Sequence, residues 1–353
     1  MLTEGRYCVK IIIGENYFYD NEEKEVLIMK HIFIMNPAAG KGTIFHQLID
    51  EIHKVCDRRK VDYDIHITER MADATDFVKE TCKSSSDTVR FYACGGDGTI
   101  KEVASGMIGF DNAELGIIPM GTGNDFVKNF EHSEKFFDID AQLDGETRKI
   151  DLLKYNKKYA INLINIGFDC EIAKQAALNR RSVFIPSKLA YTAGIVQKIT
   201  QLGTALVHGK VYFDGVSHKG NTHQICVFAN GSFYGGGYHS APAARFDDGI
   251  IDCCVVRKVT LAELIALIGH YKAGTHLTAQ NVPQVFVYKK CERVDLIFDR
   301  PTDICVDGEI ERIKDKLTLT VAHNAITLSA PKACQPIATD PTIAKAAQRY
   351  NRA

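Results

Sequence analysis

Arg90-Phe-Tyr-Ala-Cys-Gly-Gly-Asp-Gly-Thr-Ile-Lys-Glu102, read with Gly116-Ile-Ile-Pro-Met-Gly-Thr-Gly-Asn-Asp-Phe126, decides the architecture of this chain. Each stretch is a short apolar run, a glycine turn carrying a carboxylate, and then a helical pattern. That order predicts a strand, a phosphate-sized loop and a helix start. The first N–H groups of a helix lack partners and point outward, so they favour an anion. Glycines let the backbone approach a phosphate without a Cβ in the way. Asp97 and Asp125 cannot bind phosphate themselves, since like charges repel. They make sense with Mg²⁺ between carboxylate and phosphate. The two loops therefore suggest a nucleotide-phosphate and metal site at the C-terminal ends of strands, where open α/β sheets place ligands.

The flanking pattern extends this unit. Ile32 to Met35 reads as a buried strand, followed by the small-residue turn Asn36-Pro37-Ala38-Ala39-Gly40-Lys41-Gly42. Ile44, Leu48, Ile52 and Val55 then fall on one helical stripe. Val61, Tyr63, Ile65 and Ile67 alternate as a strand ending at Thr68. Ala72 to Lys83 reads as a helix, Thr88 to Ala93 as a strand, and Leu115 to Ile118 as another. Strands alternating with helices imply a parallel sheet covered by helices.

The pattern changes near Ile150. Ile150 to Tyr155 and Tyr159 to Ile166 read as a hairpin around Asn156-Lys157. Glu171 to Leu202 reads as helical, broken by Pro186. From Gly209 the chain is a run of strands: Lys210 to Phe213, Gln224 to Ala229, Ile250 to Val256, Arg293 to Phe298, Lys316 to Val321 and Ala325 to Ser329. One helix, Leu261 to Tyr271, interrupts them. The expected class is α/β, with a parallel-sheet domain over 29–149 and a β-rich domain over 150–327. Residues 1–28 read as an extension outside the core. The tail opens a last helix at Asp340-Pro341.

Length and composition narrow the function. A chain of 353 residues suits about two domains. Lys+Arg is 43 against 44 Asp+Glu, so charge makes no case for nucleic acid. No apolar run approaches the roughly 18 residues of a membrane span, and no signal-peptide pattern opens the chain. Eleven cysteines without a Cys-x-x-Cys pair read as reduced cytoplasmic thiols. His-Glu-x-x-His is absent, which argues against zinc.

Taken singly, the motifs are weak. Gly95-Gly96-Asp97-Gly98-Thr99 and Asn36-Pro37-x-x-Gly40 each read as readily as tight turns. Gly40-Lys41 lacks the P-loop glycine five residues earlier, where Met35 stands. Gly121-x-Gly123-Asn124-Asp125-Phe126 fails the dinucleotide pattern at its last position. Three such loops at one end of consecutive strands raise the case for a site. Gly235-Gly236-Gly237, Ala241-Pro242-Ala243-Ala244 and Asp247-Asp248-Gly249 add a glycine-dense, acidic segment that suits a metal or ligand. Asp307-Gly308-Glu309 alone reads as a surface turn.

Together, Asn-Pro-x-x-Gly, Gly-Gly-Asp-Gly-Thr, Gly-Thr-Gly-Asn-Asp-Phe, the Gly-Gly-Gly to Ala-Pro-x-Ala to Asp-Gly run and the late Asp-Gly-Glu resemble the soluble bacterial diacylglycerol kinases and related sphingosine and ceramide kinases. The resemblance spans about residues 30 to 330. It implies a nucleotide domain like that of phosphofructokinase and NAD kinase, a C-terminal β-sandwich, and ATP between them. It implies that Asn36, Pro37 and Gly40 line the nucleotide cleft and that Thr68 and Thr122 contact ATP. Gly95, Gly96, Gly98, Thr99 and Glu102 would cradle phosphates beside Gly121, Asn124 and Asp125. Asp97 would organise catalytic Mg²⁺, in an acidic network with Asp125 and Asp151. Asp248 would hold a structural Mg²⁺, and Glu309 would be the general base, with Asp97 as rival. The chain's last part, from about Leu328 to residue 353, would return to the first domain.

These implications make ATP and Mg²⁺ the expected cofactors. They make a membrane lipid the expected substrate, at the cytoplasmic face of an anionic membrane to which the protein binds peripherally. Lys174, Arg180, Arg181 and Lys188 beside Val183, Phe184 and Ile185 suit such a surface, and a solvated helix face equally. A homodimer is left open. Diacylglycerol leads as substrate. A sphingoid base, phosphatidylglycerol, NAD and a catalytically idle relative follow.

Overall fold

A computed structural model describes residues 29–39, 43–180, 185 and 189–352. The extension over 1–28 therefore lies outside the described residues. The elements in order are β1 (Lys30–Met35), α1 (Thr43–Arg59), β2 (Tyr63–Ile67), α2 (Asp73–Ser84), β3 (Val89–Gly95), α3 (Asp97–Met107) and β4 (Ala113–Pro119), then α4 (Ile139–Leu143), β5 (Glu146–Tyr155), β6 (Lys158–Ala160), β7 (Leu163–Gly167), α5 (Phe168–Arg180) and α6 (Ala190–Lys198). They continue with β8 (Val207–Phe213), β9 (Val216–Ser217), β10 (Thr222–Ala229), β11 (Ile251–Arg257), α7 (Leu261–Ala273), β12 (Phe286–Cys291), β13 (Arg293–Phe298), β14 (Thr302–Val306), β15 (Glu309–Ile313), β16 (Lys316–Ala330) and α8 (Pro341–Arg352).

β3 explains the first half. All seven of its residues are buried, as a strand covered on both faces requires. Phe91 and Ala93 face one apolar cluster with α2 and α3. Tyr92 and Cys94 face another with α1 and α4. β2, β1, β3 and β4 lie side by side in parallel, so their C-terminal ends share one edge. The expected parallel α/β domain is present.

The second half is a sandwich. β15, β14, β7, β10, β11 and β12 form one antiparallel sheet. β8, β13, β16 and β5 form the other. Ile164, Ile166, Phe228, Val255 and Ile304 of the first pack against Val211, Val294, Leu296, Leu317 and Leu319 of the second. The outer face of the first sheet is covered by α5, α6, α7 and α8. Cys253 and Cys254 point to opposite faces, as neighbours in a strand must.

Three local readings change. Tyr159 to Ile166 is two strands, because the amides of Ile161, Asn162 and Leu163 turn onto the Asp307 carboxylate at 2.8, 3.0 and 2.9 Å. Lys316 to Ser329 is one long strand. Its register shifts between Ala322 and Ile326, where the Asp151 carboxylate accepts the Asn324 amide at 2.7 Å and Asn324 takes φ 52°. β16 thereby runs from the sandwich into the first domain, pairing in parallel with β4 at Thr327 and Leu328. The tail does not stay there. α8, capped by Asp340 at the Thr342 amide, places Ala346 and Ala347 in the second domain's core, and Asn351 bonds β12.

Candidate active site

The shared edge of β1, β3 and β4 gathers three loops. α3 begins directly after β3, with Gly96 as its extended N-cap. The Asn36 side chain folds its own loop by accepting from the Ala38 amide at 2.9 Å, and donates to Thr99 Oγ1 at 3.0 Å. The Met120 amide donates to the Gly95 carbonyl at 2.7 Å. Gly121 then passes Gly96 so closely that a Cβ on it would stand 2.7 Å from the Gly96 Cα. Only glycine fits there.

Two carboxylates converge on this seam. Asp97 Oδ1 accepts the Asp125 and Phe126 amides at 2.9 and 3.3 Å. Its Oδ2 and the Asp125 Oδ2 both face Gly123, 3.1 and 3.3 Å from where a Cβ would sit. Asp125 is buried and accepts Lys128 Nζ at 2.6 Å and the Gly236 amide at 3.0 and 3.1 Å. Burial, and then the Asp125 charge, push the Asp97 carboxyl up to about 7. Two like charges at close quarters disfavour joint ionisation unless a cation or proton intervenes.

The second domain contributes Glu309. Asp307 and Gly308, with φ of 48° and 90°, make the two-residue turn between β14 and β15. Asp307 is also buried under the three amides named above, so the expected surface turn is an anchored one. Glu309 follows it, and its Oε1 lies 3.3 Å from where a Cβ on Gly98 would sit, on the first turn of α3. Its Oε2 accepts Lys101 Nζ.

The other expected residues divide. Thr68 ends β2 beside Met35, Thr122 is exposed in the β4 loop, and Asn124 takes φ 49° and ties back to the Gly121 carbonyl at 2.8 Å. Pro37 is an exposed turn residue, while Gly40 lies outside the described residues. Glu102 accepts the Ala72 amide at 3.1 Å, bracing α2 against α3. Asp151 departs from the expected network. It is fully buried, and its oxygens take the Gly249 and Asn324 amides at 2.7 Å each and His323 Nδ1 at 2.8 Å. It serves the loop of Asp248, and the partners of its carboxylate include neither Asp97 nor Asp125. Asp248 itself faces Lys290 Nζ at 3.4 Å.

Lys174 is ion-paired with Asp303 at 2.6 Å and with Glu171, so it is not a free surface cation. Arg181, Val183, Phe184 and Lys188 lie outside the described residues. Lys101 and Lys128 escaped the motif reading. Their signal was spacing alone: each is a cation one helical turn beyond Asp97 or Asp125.

Residues 30–155 match the model for the diacylglycerol kinase catalytic domain, and 162–329 match that for the YegS C-terminal NAD kinase beta sandwich-like domain. A diacylglycerol kinase of Bacillus subtilis is 28% identical over 279 residues, spanning 78% of this chain and 88% of the relative. One of Staphylococcus haemolyticus is 29% identical over 278 residues, spanning 78% and 81%. A crystal structure of a diacylglycerol kinase from Bacillus anthracis superposes with TM-score 0.60 at 19% identity, over 87% of this chain and 98% of that one, which shows a shared fold. With both domains matched in order and the loops assembled as above, the chain belongs to the diacylglycerol kinase-like lipid kinase family.

Proposed function

We propose that this chain is an ATP-dependent kinase that phosphorylates the hydroxyl of a membrane lipid, with diacylglycerol as the leading substrate and phosphatidic acid as product. One observation carries the reading. Glu309 of the sandwich domain reaches the first turn of α3, where Asp97 and Asp125 meet. A nucleotide held by one domain and an alcohol offered by the other would be joined at that point.

The opening amides of α3 and the bare backbone between Gly96 and Gly121 suit the phosphates of ATP. The Oδ2 oxygens of Asp97 and Asp125 are hard donors that face Gly123 together, and Mg²⁺ beside them would relieve the mutual repulsion that Lys128, on Asp125 Oδ1, relieves only in part. Bound there, the ion would supply charge neutralisation at the transferring phosphoryl group. In this reading Glu309 would accept the proton of the alcohol as its oxygen bonds to the γ-phosphorus. The bond from that phosphorus to the β–γ bridging oxygen breaks, and ADP leaves. Asp97 remains the rival base, since it stands in the same seam at the start of α3.

No described helix is long and apolar enough to cross a membrane. Surface attachment is supported by Leu178 on α5, Leu189 just before α6 and Val196 on α6, which stand exposed with Arg180. Apolar and basic side chains together suit an anionic lipid surface.

The test is to offer labelled ATP and Mg²⁺ with diacylglycerol, a sphingoid base, ceramide and phosphatidylglycerol in anionic vesicles, and NAD as control. Label in phosphatidic acid is expected. Label in another lipid would reassign the substrate, and label in NAD alone would overturn the lipid reading.

A further inference from the structure

The resemblance puts a structural Mg²⁺ at Asp248, and the side chains around that carboxylate do not fit one. Asp248 lies in the loop before β11, and Asp252 lies on β11 directly opposite Lys290 of β12. Lys290 Nζ is 2.9 Å from Asp252 Oδ2, 3.0 Å from the Ala243 carbonyl and 3.4 Å from Asp248 Oδ2. Two carboxylates and a carbonyl are the oxygens Mg²⁺ would seek, but their common focus is filled by an ammonium. We infer that Lys290 is the resident cation of this seat, a tethered charge in place of a divalent ion, and that the second domain holds its loop here without metal.

The surroundings complete the case. Asp252 is fully buried, and its other oxygen accepts the Tyr288 hydroxyl at 2.6 Å. Burial pushes the Asp252 carboxyl up, and the Lys290 ammonium and the Tyr288 hydroxyl bond work against that rise. Burial also works against the Lys290 ammonium, but the Asp252 and Asp248 charges outweigh it and hold Lys290 above its ordinary value. The loop needs no other cation to close it. Asp248 Oδ1 accepts the Ile250 amide at 3.1 Å, Gly249 takes φ 73°, and its amide is held by Asp151. A second cation on the same oxygens would face Lys290 at close range, where like charges repel.

The inference is independent of which lipid is phosphorylated, and its readout is thermal. The protein is stripped with EDTA and melted with and without millimolar Mg²⁺, nucleotide absent, in an Asp97→Asn background so that the phosphate site does not respond. With Lys290 present, the melting temperature is expected not to move. Lys290→Ala empties the seat. Its melting temperature should fall by several degrees and recover saturably with Mg²⁺. Lys290→Met fills the seat without charge, and should fall without recovering. A saturable Mg²⁺-dependent rise in the Lys290 protein, abolished by Asp248→Asn, would overturn the inference. So would a folded Lys290→Ala that ignores Mg²⁺, or a Lys290→Met that responds to it. Should Lys290→Ala not fold, the Lys290 protein and Lys290→Met decide the matter.

Discussion

Lys101 and Glu309 meet across the domain boundary: an ammonium on α3 holds one oxygen of a carboxylate on β15, while the other oxygen stands over Gly98. Lys101 is the more enclosed partner, since Glu309 is 44% exposed. An ion pair with one partner so open contributes little to stability, typically below about 1 kcal/mol. Its worth lies in aiming Glu309. Lys101→Ala is therefore expected to leave the unfolding midpoint in urea nearly unchanged while turnover falls roughly tenfold, about 1.4 kcal/mol of transition-state stabilisation. Lys101→Arg should restore most of it. A Lys101→Ala enzyme with full kcat and a raised KM for ATP would mean that Lys101 binds nucleotide instead.

The two carboxylates that compete as general base are separable. Glu309→Gln removes a proton acceptor but keeps its shape, and loss of a general base costs about 10²- to 10⁴-fold in rate. Asp97→Asn removes the charge that the proposed reaction would set against Mg²⁺, and should cost at least as much. Both proteins should stay folded by circular dichroism. A Glu309→Gln enzyme near full kcat beside a dead Asp97→Asn enzyme would move the base to Asp97.

How much of this was readable beforehand follows from what each feature depends on. The parallel domain was legible because β3 and its neighbours are uninterrupted apolar runs closed by glycine loops. The acidic pair was legible as well, because Asp97 and Asp125 sit in those loops. The split of β6 from β7 was not, because it depends on Asp307, whose carboxylate lies some 145 residues further along the chain. The fusion of two expected strands into β16 was hidden for the same reason, since Asp151 stabilises the bulge at Asn324 from outside it. Asp151 was assigned to the acidic network by resemblance, and only the fold shows it holding Gly249. Local pattern reveals elements. It does not reveal a buried carboxylate chosen by distant amides.

The raised Asp97 carboxyl has a consequence for stability. Its folded value, about 7, lies above the ordinary 3.8. Between those values the folded protein holds a proton that the unfolded chain releases, so stability falls as pH rises through that window. Above about 7 the full penalty is present. Asp97→Asn cannot ionise and escapes it. Without Mg²⁺ or nucleotide, the mutant should match or exceed the wild-type melting temperature at pH 8, with the gain shrinking toward pH 5. Because Asp97 is only half-buried, about 1–2 kcal/mol is a reasonable scale, less than a full three-unit shift would give. A mutant that gains nothing as pH rises would show that Asp97 is ionised throughout.

Gly98 offers the sharpest division between folding and catalysis. It occupies the first turn of α3, with no positive φ to preserve, so alanine suits its backbone. Glycine inside a helix costs about 0.5–1 kcal/mol relative to alanine. Among the described residues, apart from its chain neighbours and the backbone of its own helix, the atom within 4 Å of the added Cβ is Glu309 Oε1, at 3.3 Å, the far end of a half-exposed side chain. That end can shift by a few tenths of an ångström at little cost in stability. The same shift matters for chemistry, because a base must lie within hydrogen-bonding reach of the proton it takes. Gly98→Ala should therefore melt at the wild-type temperature or slightly above, yet lose activity by tenfold or more. Pairing it with Glu309→Gln gives the decisive comparison. If Gly98 acts through Glu309, the double mutant should be no slower than Glu309→Gln alone, since the shifted group is no longer a base. If the two losses multiply, the methyl obstructs the phosphates themselves, and Gly98 belongs to the nucleotide cradle rather than to the placement of Glu309.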